Sequence, residues 1–162
     1  MPAELLPGDP APSFQAVAVG ADYPPGGAEV RLEALLGKRV VLYFYPEDDT
    51  PGCTEQACAI RDAWTEFQQH AALFGVNSGS PGSHRRFIEK YALPFPLLSD
   101  TEDRIAKAYG LFLADGGGGD AEGGEATERS TFIIDREGRI ERKLSRVKPA
   151  EHANFLLDIL KS

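Results

Sequence analysis

Residues 40–45, with the sequence VVLYFY, constrain the fold most strongly, because all six are apolar or aromatic. β-Branched and aromatic side chains favour the extended backbone of a strand. A strand that is apolar on both faces is typical of the buried centre of a sheet, whereas a half-exposed strand alternates apolar and polar residues. We therefore expect a central strand that is covered on both faces, as in an α/β layered fold.

Strands and helices alternate along the rest of the chain. Apolar patterns predict strands at residues 13–19, 73–76 and 97–99, a strand end and short helix at 30–36, and helices at 50–70, 83–91 and 104–109. The motifs STFIID and RIERKLS predict a hairpin that turns at Glu137-Gly138. Pro149 is placed to begin a last helix, whose inward face would carry Phe155, Leu156, Ile159 and Leu160. This order predicts an α/β fold in which a central mixed sheet is flanked by helices.

Length and charge limit the possible partners. The 162 residues fit one domain, residues 1–162, with a flexible acidic Gly-rich loop at about 114–128. A net charge of −8 repels phosphate backbones and anionic lipid, so we expect no nucleic-acid or membrane partner. The start of the sequence lacks the basic and apolar segments of a secretory signal, which predicts a cytoplasmic protein.

The chain contains two cysteines, Cys53 and Cys58. In a reducing cytosol they are not expected to form a permanent disulfide. A structural zinc site requires about four paired ligands, and the three histidines (His70, His84 and His152) are distant from Cys53 in sequence. We therefore predict no metal site. The cysteines are then either catalytic or inert.

Cys53 is predicted to lie in the first turn of the helix that follows the buried strand. Thr50 is a suitable N-cap, Pro51 suits the first helical position, and Gly52 permits close approach of a ligand to the backbone. The first backbone N–H groups of a helix lack intrahelical partners, and the helix dipole favours an anion there. This position therefore favours a reactive thiolate and a departing oxygen that gains negative charge.

The phase of the predicted helix places Cys53 on its apolar face. Cys53 shares a stripe about 80° wide with four apolar residues (Ala57, Ile60, Trp64 and Phe67). Burial disfavours a thiolate, so a fixed cation is required, and Arg129 is the best candidate. The competing interpretations are that Cys53 is a small buried hydrophobe and that Arg129 forms a surface ion pair.

Cys58 follows Cys53 by five residues. In an intact helix their Cα atoms would be about 8.6 Å apart, whereas a disulfide requires less than about 7 Å. The thiols can therefore join only if the first turns of the helix unwind. Cys58 can alternatively be an inert buried residue.

These residues resemble the peroxiredoxins. Pro46, Thr50 and Cys53 match the Pro-x-x-x-Thr-x-x-Cys pattern of that family, and TPGCTEQAC is similar to the Q subgroup, the bacterioferritin comigratory proteins. Further similar motifs are HRRFIEKYALPFPLLSD, AKAYGL and ERSTFIIDREGRI, so the resemblance covers about residues 7–160. The chain departs from the subgroup at Glu47, where Lys is common, at residues 77–79, and in its longer glycine insert.

The resemblance implies a thioredoxin-like fold and a thiol-dependent peroxidase. Cys53 would be the peroxidatic cysteine, Cys58 the resolving cysteine and Arg129 the active-site arginine, while Pro46 would shield the pocket and Thr50 would orient the peroxide. Together with Gly52, these residues would bind hydrogen peroxide or a small organic hydroperoxide. The resemblance further implies no cofactor, a monomer, and reduction by thioredoxin or a similar dithiol protein.

Two other classes of function remain as alternatives. A thiol–disulfide oxidoreductase on the same kind of fold would use Cys-x-x-Cys, and the spacing of Cys53 and Cys58 is wider than that. A redox-inactive binding module would leave Cys53 without enhanced reactivity.

Overall fold

The computed structural model describes residues 5–20, 23–24, 26–45, 51–111, 130–145 and 151–161. These residues form strands β1 (Gln15–Val19), β2 (Ala28–Arg31), β3 (Val40–Phe44), β4 (Ala72–Asn77), β5 (Leu97–Ser99), β6 (Ser130–Ile134) and β7 (Ile140–Ser145). The α-helices are α1 (Pro51–Asp62), α2 (Trp64–His70), α3 (Pro81–Tyr91), α4 (Arg104–Ala108) and α5 (His152–Lys161), and short 3₁₀ helices span Leu32–Leu35 and Thr101–Asp103.

The strands form a single sheet in the order β2-β1-β5-β4-β3-β6-β7. The pairs β3–β4 and β4–β5 are parallel, whereas the pairs β1–β2, β1–β5, β3–β6 and β6–β7 are antiparallel. Parallel neighbours require crossover connections, and the helices between β3, β4 and β5 supply them. The predicted mixed sheet flanked by helices is confirmed.

Strand β3 is the divider between two hydrophobic cores, since all five of its residues are buried. Successive side chains of a strand point to opposite faces. Val41 and Tyr43 therefore lie in one core, together with side chains of α1, α2, α3 and α5, whereas Leu42 and Phe44 lie in the other, with α4. This two-sided burial is what the apolar run of residues 40–45 predicts.

The prediction of one helix over residues 50–70 is wrong in one respect. The chain forms two helices, α1 and α2, which meet at Ala63, where φ is −111° and ψ is 16°. The N–H of Ala63 donates to the Ile60 carbonyl in a tighter turn, with an N···O distance of 3.1 Å. The apolar spacing continues from Ile60 to Phe67, both buried, so periodicity alone does not register a break of one residue.

Helix α5 differs from its prediction in the position of Phe155. Leu156, Ile159 and Leu160 are buried as expected, but the side chain of Phe155 is 47% exposed. The buried face instead includes His152, Ala153 and Leu157. Because adjacent helical residues are about 100° apart, a stripe centred on Leu156 turns Phe155 toward solvent. Pro149 lies outside the described residues.

The β6–β7 hairpin forms as predicted. Asp135 N–H donates to the Arg139 carbonyl at 2.8 Å, and Gly138 has a φ of +86°, a conformation that glycine adopts without strain. The Gly-rich segment 114–128 lies outside the described residues. None of the helices in the described ranges combines the length and apolar character that crossing a bilayer requires.

Candidate active site

Cys53 lies in the first turn of α1, at the third residue of the helix. The helix follows β3, whose C-terminal end is at the edge of the sheet where α/β proteins commonly bind ligands. Gly52, the second helical residue, is half-buried. Three other residues of the predicted site, Pro46, Thr50 and Arg129, lie outside the described residues.

The side chain of Cys53 is 1% exposed and belongs to the core that contains Tyr43 and Tyr45. The rings of these two tyrosines are stacked, with 5.3 Å between their centroids. Ala57, one turn further along α1, is completely buried in the same core. The inward orientation that the apolar stripe predicts is therefore observed for Cys53, Ala57, Ile60 and Phe67, whereas Trp64 is only half-buried.

The helix start provides the electrostatic element of the site. α1 is twelve residues long, so its peptide dipoles align over about three turns. The N–H groups of the first turn have no acceptor within the helix. A sulfur anion, or an oxygen gaining negative charge, is therefore stabilised at this end of α1 relative to the same group on a strand or at a helix C-terminus.

Cys58 occupies a different environment on the same helix. It is half-buried, in contrast to the fully buried Cys53. Both cysteines lie within the described part of the chain, and they are not joined by a disulfide there. The backbone is helical from Pro51 to Asp62, which places the two Cα atoms about 8.6 Å apart by ideal helix geometry. This arrangement is the dithiol form with a wound helix.

Two buried histidines were not singled out as site residues by the sequence. His84 in α3 is completely buried, and its Nε2 lies 3.0 Å from the Leu98 carbonyl oxygen. His152 in α5 is also completely buried, and its Nε2 lies 2.8 Å from Thr131 Oγ1. The available signal for His152 was its spacing of four residues before Leu156, which puts both on one helix face.

A cavity of about 620 Å³ lies elsewhere on the sheet, lined by residues at the start of β1 and after β5, and neither cysteine lines it. Asp100, at its wall, accepts hydrogen bonds from the N–H groups of Ile105 (2.8 Å) and Ala106 (2.9 Å). Burial raises the pKa of Asp100, and these N–H groups oppose the shift. Asp100 therefore has a structural role, as the hydrogen-bond acceptor for N–H groups in the first turn of α4.

Within the described ranges, no group of three or more His, Cys, Asp or Glu side chains is arranged to hold a metal ion. Neither cysteine has a set of neighbours there that would complete a four-ligand site.

Comparison with known proteins identifies close similarity to one family. The profile of the AhpC/TSA family matches residues 7–143. Peroxiredoxin Bcp of Bacillus subtilis is 42% identical over 136 residues, which cover 83% of this chain and 85% of the relative.

The chain is also similar to solved structures of proteins of this kind. The bacterioferritin comigratory protein of Xanthomonas campestris, whose structures concern alkyl peroxide reduction activity, has a TM-score of 0.79 at 32% identity and covers 91% of this chain and 90% of that one. Peroxidoxin BcpB of Mycobacterium tuberculosis has a TM-score of 0.81 at 29% identity, with coverage of 98% and 97%. The predicted thioredoxin-like fold is confirmed by these similarities.

Proposed function

The chain belongs to the AhpC/TSA family, in the branch of peroxiredoxin Q and Bcp, and from this premise we propose that Cys53 and Cys58 are the peroxidatic and resolving cysteines of a thiol peroxidase. The observation that carries the assignment is the pairing of environments on one helix. Cys53 is buried in the first turn of α1, while Cys58 is half-buried five residues later. The first position suits an activated thiolate and the second suits access by a protein reductant.

The first step consumes the peroxide. The Cys53 thiolate attacks one peroxide oxygen, the O–O bond breaks, and the second oxygen leaves with the bonding electrons and takes up a proton as water or an alcohol. Sulfur is oxidised to the sulfenic acid as the peroxide is reduced. The N–H groups at the start of α1 stabilise the negative charge that develops on the leaving oxygen.

The second step forms the disulfide. The Cys58 sulfur attacks the sulfenic sulfur, the S–O bond breaks, and water is released. Because the wound helix holds the Cα atoms about 8.6 Å apart, the first turns of α1 must unwind before the S–S bond can form. A dithiol protein then reduces the disulfide by exchange and is itself oxidised.

Three further residues complete the proposed site by their match to the peroxiredoxin pattern. Thr50 orients the peroxide, Arg129 stabilises the Cys53 thiolate, and Pro46 shields the pocket. A guanidinium remains charged at every physiological pH, so Arg129 can compensate the burial of a thiolate at position 53.

The substrates and partners follow from the same chemistry. The apolar surroundings of Cys53 accept the alkyl group of a small hydroperoxide as well as hydrogen peroxide. We infer that thioredoxin, or a similar dithiol protein, is the reductant, that the enzyme is a cytoplasmic monomer, and that residues 1–162 form one domain.

The proposal is tested by peroxide consumption in the presence of a dithiol reductant. The substitution Cys53→Ser should abolish turnover, because an alcohol at this position is not a competent nucleophile toward the O–O bond. Cys58→Ser serves as the matched control when the first turnover is measured, since it removes the other thiol but should retain the first step. Equal consumption by wild type and Cys53→Ser would disprove the assignment. Rapid reduction of insulin by the wild type would instead indicate a general thiol–disulfide oxidoreductase.

A further inference from the structure

A buried imidazole joins helix α5 to strand β6. His152, the first residue of α5, has no exposed surface, and its Nε2 lies 2.8 Å from Thr131 Oγ1. Thr131 is itself 1% exposed. A hydrogen bond between two fully buried side chains is sheltered from water, so it holds its partners more firmly than the same bond at the surface.

The same imidazole also contacts strand β3. The centroids of the His152 and Tyr43 rings are 5.7 Å apart. Tyr43 and Thr131 are Cα partners in the antiparallel pairing of β3 and β6, so their side chains point to the same face of the sheet. His152 therefore bridges two paired strands from the helix layer that also contains Cys53.

The residues that His152 contacts lie near the end of β3 and the start of β6, and in the sequence both of these strand ends are close to residues of the proposed site. The last described pair of the β3–β6 register is Phe44 with Ser130. Along the chain, Pro46 follows Phe44 by two residues, and Arg129 directly precedes Ser130. In the sequence, both residues are therefore within three positions of Tyr43 and Thr131, the residues that His152 contacts.

His152 is a polar residue on the otherwise apolar buried face of α5. A buried polar group lowers stability when it lacks a hydrogen-bond partner, whereas an apolar side chain carries no such cost. His84 is equally buried, but its Nε2 contacts a backbone carbonyl oxygen, that of Leu98 in β5. This contact joins α3 to the sheet, and a purely structural role explains it. His152 differs because its partner is a side chain on β6, the strand whose first residue, Ser130, directly follows Arg129 in the sequence.

We propose that His152 is a positioning residue of the peroxidase centre, which acts through Thr131 and Tyr43 to fix the ends of β6 and β3 from which the chain continues to Arg129 and Pro46. This inference rests on the proposed roles of Cys53 and Arg129. A displacement of about 1 Å in a group that orients the reactants can lower a rate by about a hundredfold, so a remote clamp of this kind has a measurable effect.

The test uses the full chain with His152→Gln, Thr131→Val and their combination, and His84→Gln as the matched control. Three quantities are measured for each variant: the second-order rate constant with hydrogen peroxide, the rate of alkylation of Cys53 by iodoacetamide in a Cys58→Ser background, and the free energy of unfolding in urea. Alkylation reports the reactivity of the thiolate, which a purely structural role would leave unchanged.

We expect His152→Gln and Thr131→Val each to lower the peroxide rate constant by about ten- to a hundredfold, with slower alkylation. The double variant should be no slower than the worse single variant, because both substitutions break one contact. Thr131→Ser, which keeps the hydroxyl, should remain within about threefold of wild type, and His84→Gln within about twofold.

Two results would overturn the inference while leaving the proposed function intact. The first is an equal rate loss in His152→Gln and His84→Gln, and the second is additive loss in the double variant. If His152→Gln does not fold, Thr131→Val decides alone, since it is isosteric, and an unchanged rate in that variant refutes the proposal. A wild type that consumes no peroxide would refute the proposed function and this inference together.

Discussion

Cys53 and Cys58 lie five residues apart on helix α1, yet the first is buried in the core and the second is half-buried at its edge. An angular separation of about 140° around the helix accounts for this difference. The two thiols are therefore separated by the regular structure of the helix itself. Formation of a disulfide and persistence of the wound α1 are mutually exclusive.

This relationship predicts the fate of a variant that lacks the second thiol. After addition of peroxide without reductant, wild type should show the mass of an intramolecular disulfide, whereas Cys58→Ser should accumulate the sulfenic acid and then the sulfinic and sulfonic acids. The first oxidation should occur within about threefold of the wild-type rate, because Cys58 takes no part in that step. Intact mass measured over time checks this. A variant that resists overoxidation as well as the wild type would show that Cys58 is not the resolving residue.

The carboxylate of Asp100 should contribute to stability through the hydrogen bonds that it accepts from backbone N–H groups. Asp100→Ala removes the acceptor of the Ile105 and Ala106 N–H groups and should lower the free energy of unfolding by about 1–3 kcal/mol. Urea unfolding at neutral pH measures this loss. Glu102→Ala is the control, because Glu102 is exposed and its ion pair with Arg104 is at the surface.

The pH dependence of Asp100 has a definite sign. Because burial raises the pKa of this carboxyl in the folded state, the native protein binds more protons than the unfolded chain between about pH 3.9 and the higher folded value. Wild type should therefore lose stability relative to Asp100→Asn as the pH rises through that window, and the difference should be constant above it. Urea unfolding at a series of pH values measures the two curves. A relative gain in wild-type stability would contradict the assignment.

Gly75, in the middle of β4, should not tolerate a side chain. A Cβ at this position would lie 2.7 Å from Leu97 Cδ2 and 3.0 Å from the ring of Tyr43. We expect Gly75→Ala to destabilise the protein by about 1–3 kcal/mol through overpacking. Gly82→Ala is the control, since the added methyl group there has only ordinary contacts, the nearest at 3.7 Å. Thermal or urea unfolding of both variants distinguishes them, and equal stabilities would refute the explanation.

The face of α5 that packs on the core can be tested by two neighbouring substitutions. Leu156 is completely buried, so Leu156→Ala should lower the free energy of unfolding by about 2–5 kcal/mol. Phe155 is 47% exposed, and Phe155→Ala should change the free energy of unfolding by only about 0.5 kcal/mol. Urea unfolding measures both. A larger loss for Phe155→Ala than for Leu156→Ala would contradict the described orientation of the helix.

Much of the fold was predictable because its signals are local. Strand β5, Leu97–Ser99, has the bounds that the sequence predicts, and the β6–β7 hairpin turns at Gly138, whose positive φ favours glycine. The inward phase of Cys53 also follows from spacing within one helix. Each of these features depends on residues within a few positions of one another, so the chain itself carries the information.

Other features arise only when distant segments pack together. The chain alone determined a buried central strand and a thiol at the start of the next helix, because hydrophobic periodicity and helix capping act over a few residues. Tertiary structure decided the order of the strands, the break at Ala63, and the contact of His152 with Thr131 across 21 residues. Their physical cause is non-local: the core must be filled and each buried polar group must find a partner, wherever in the chain that partner lies.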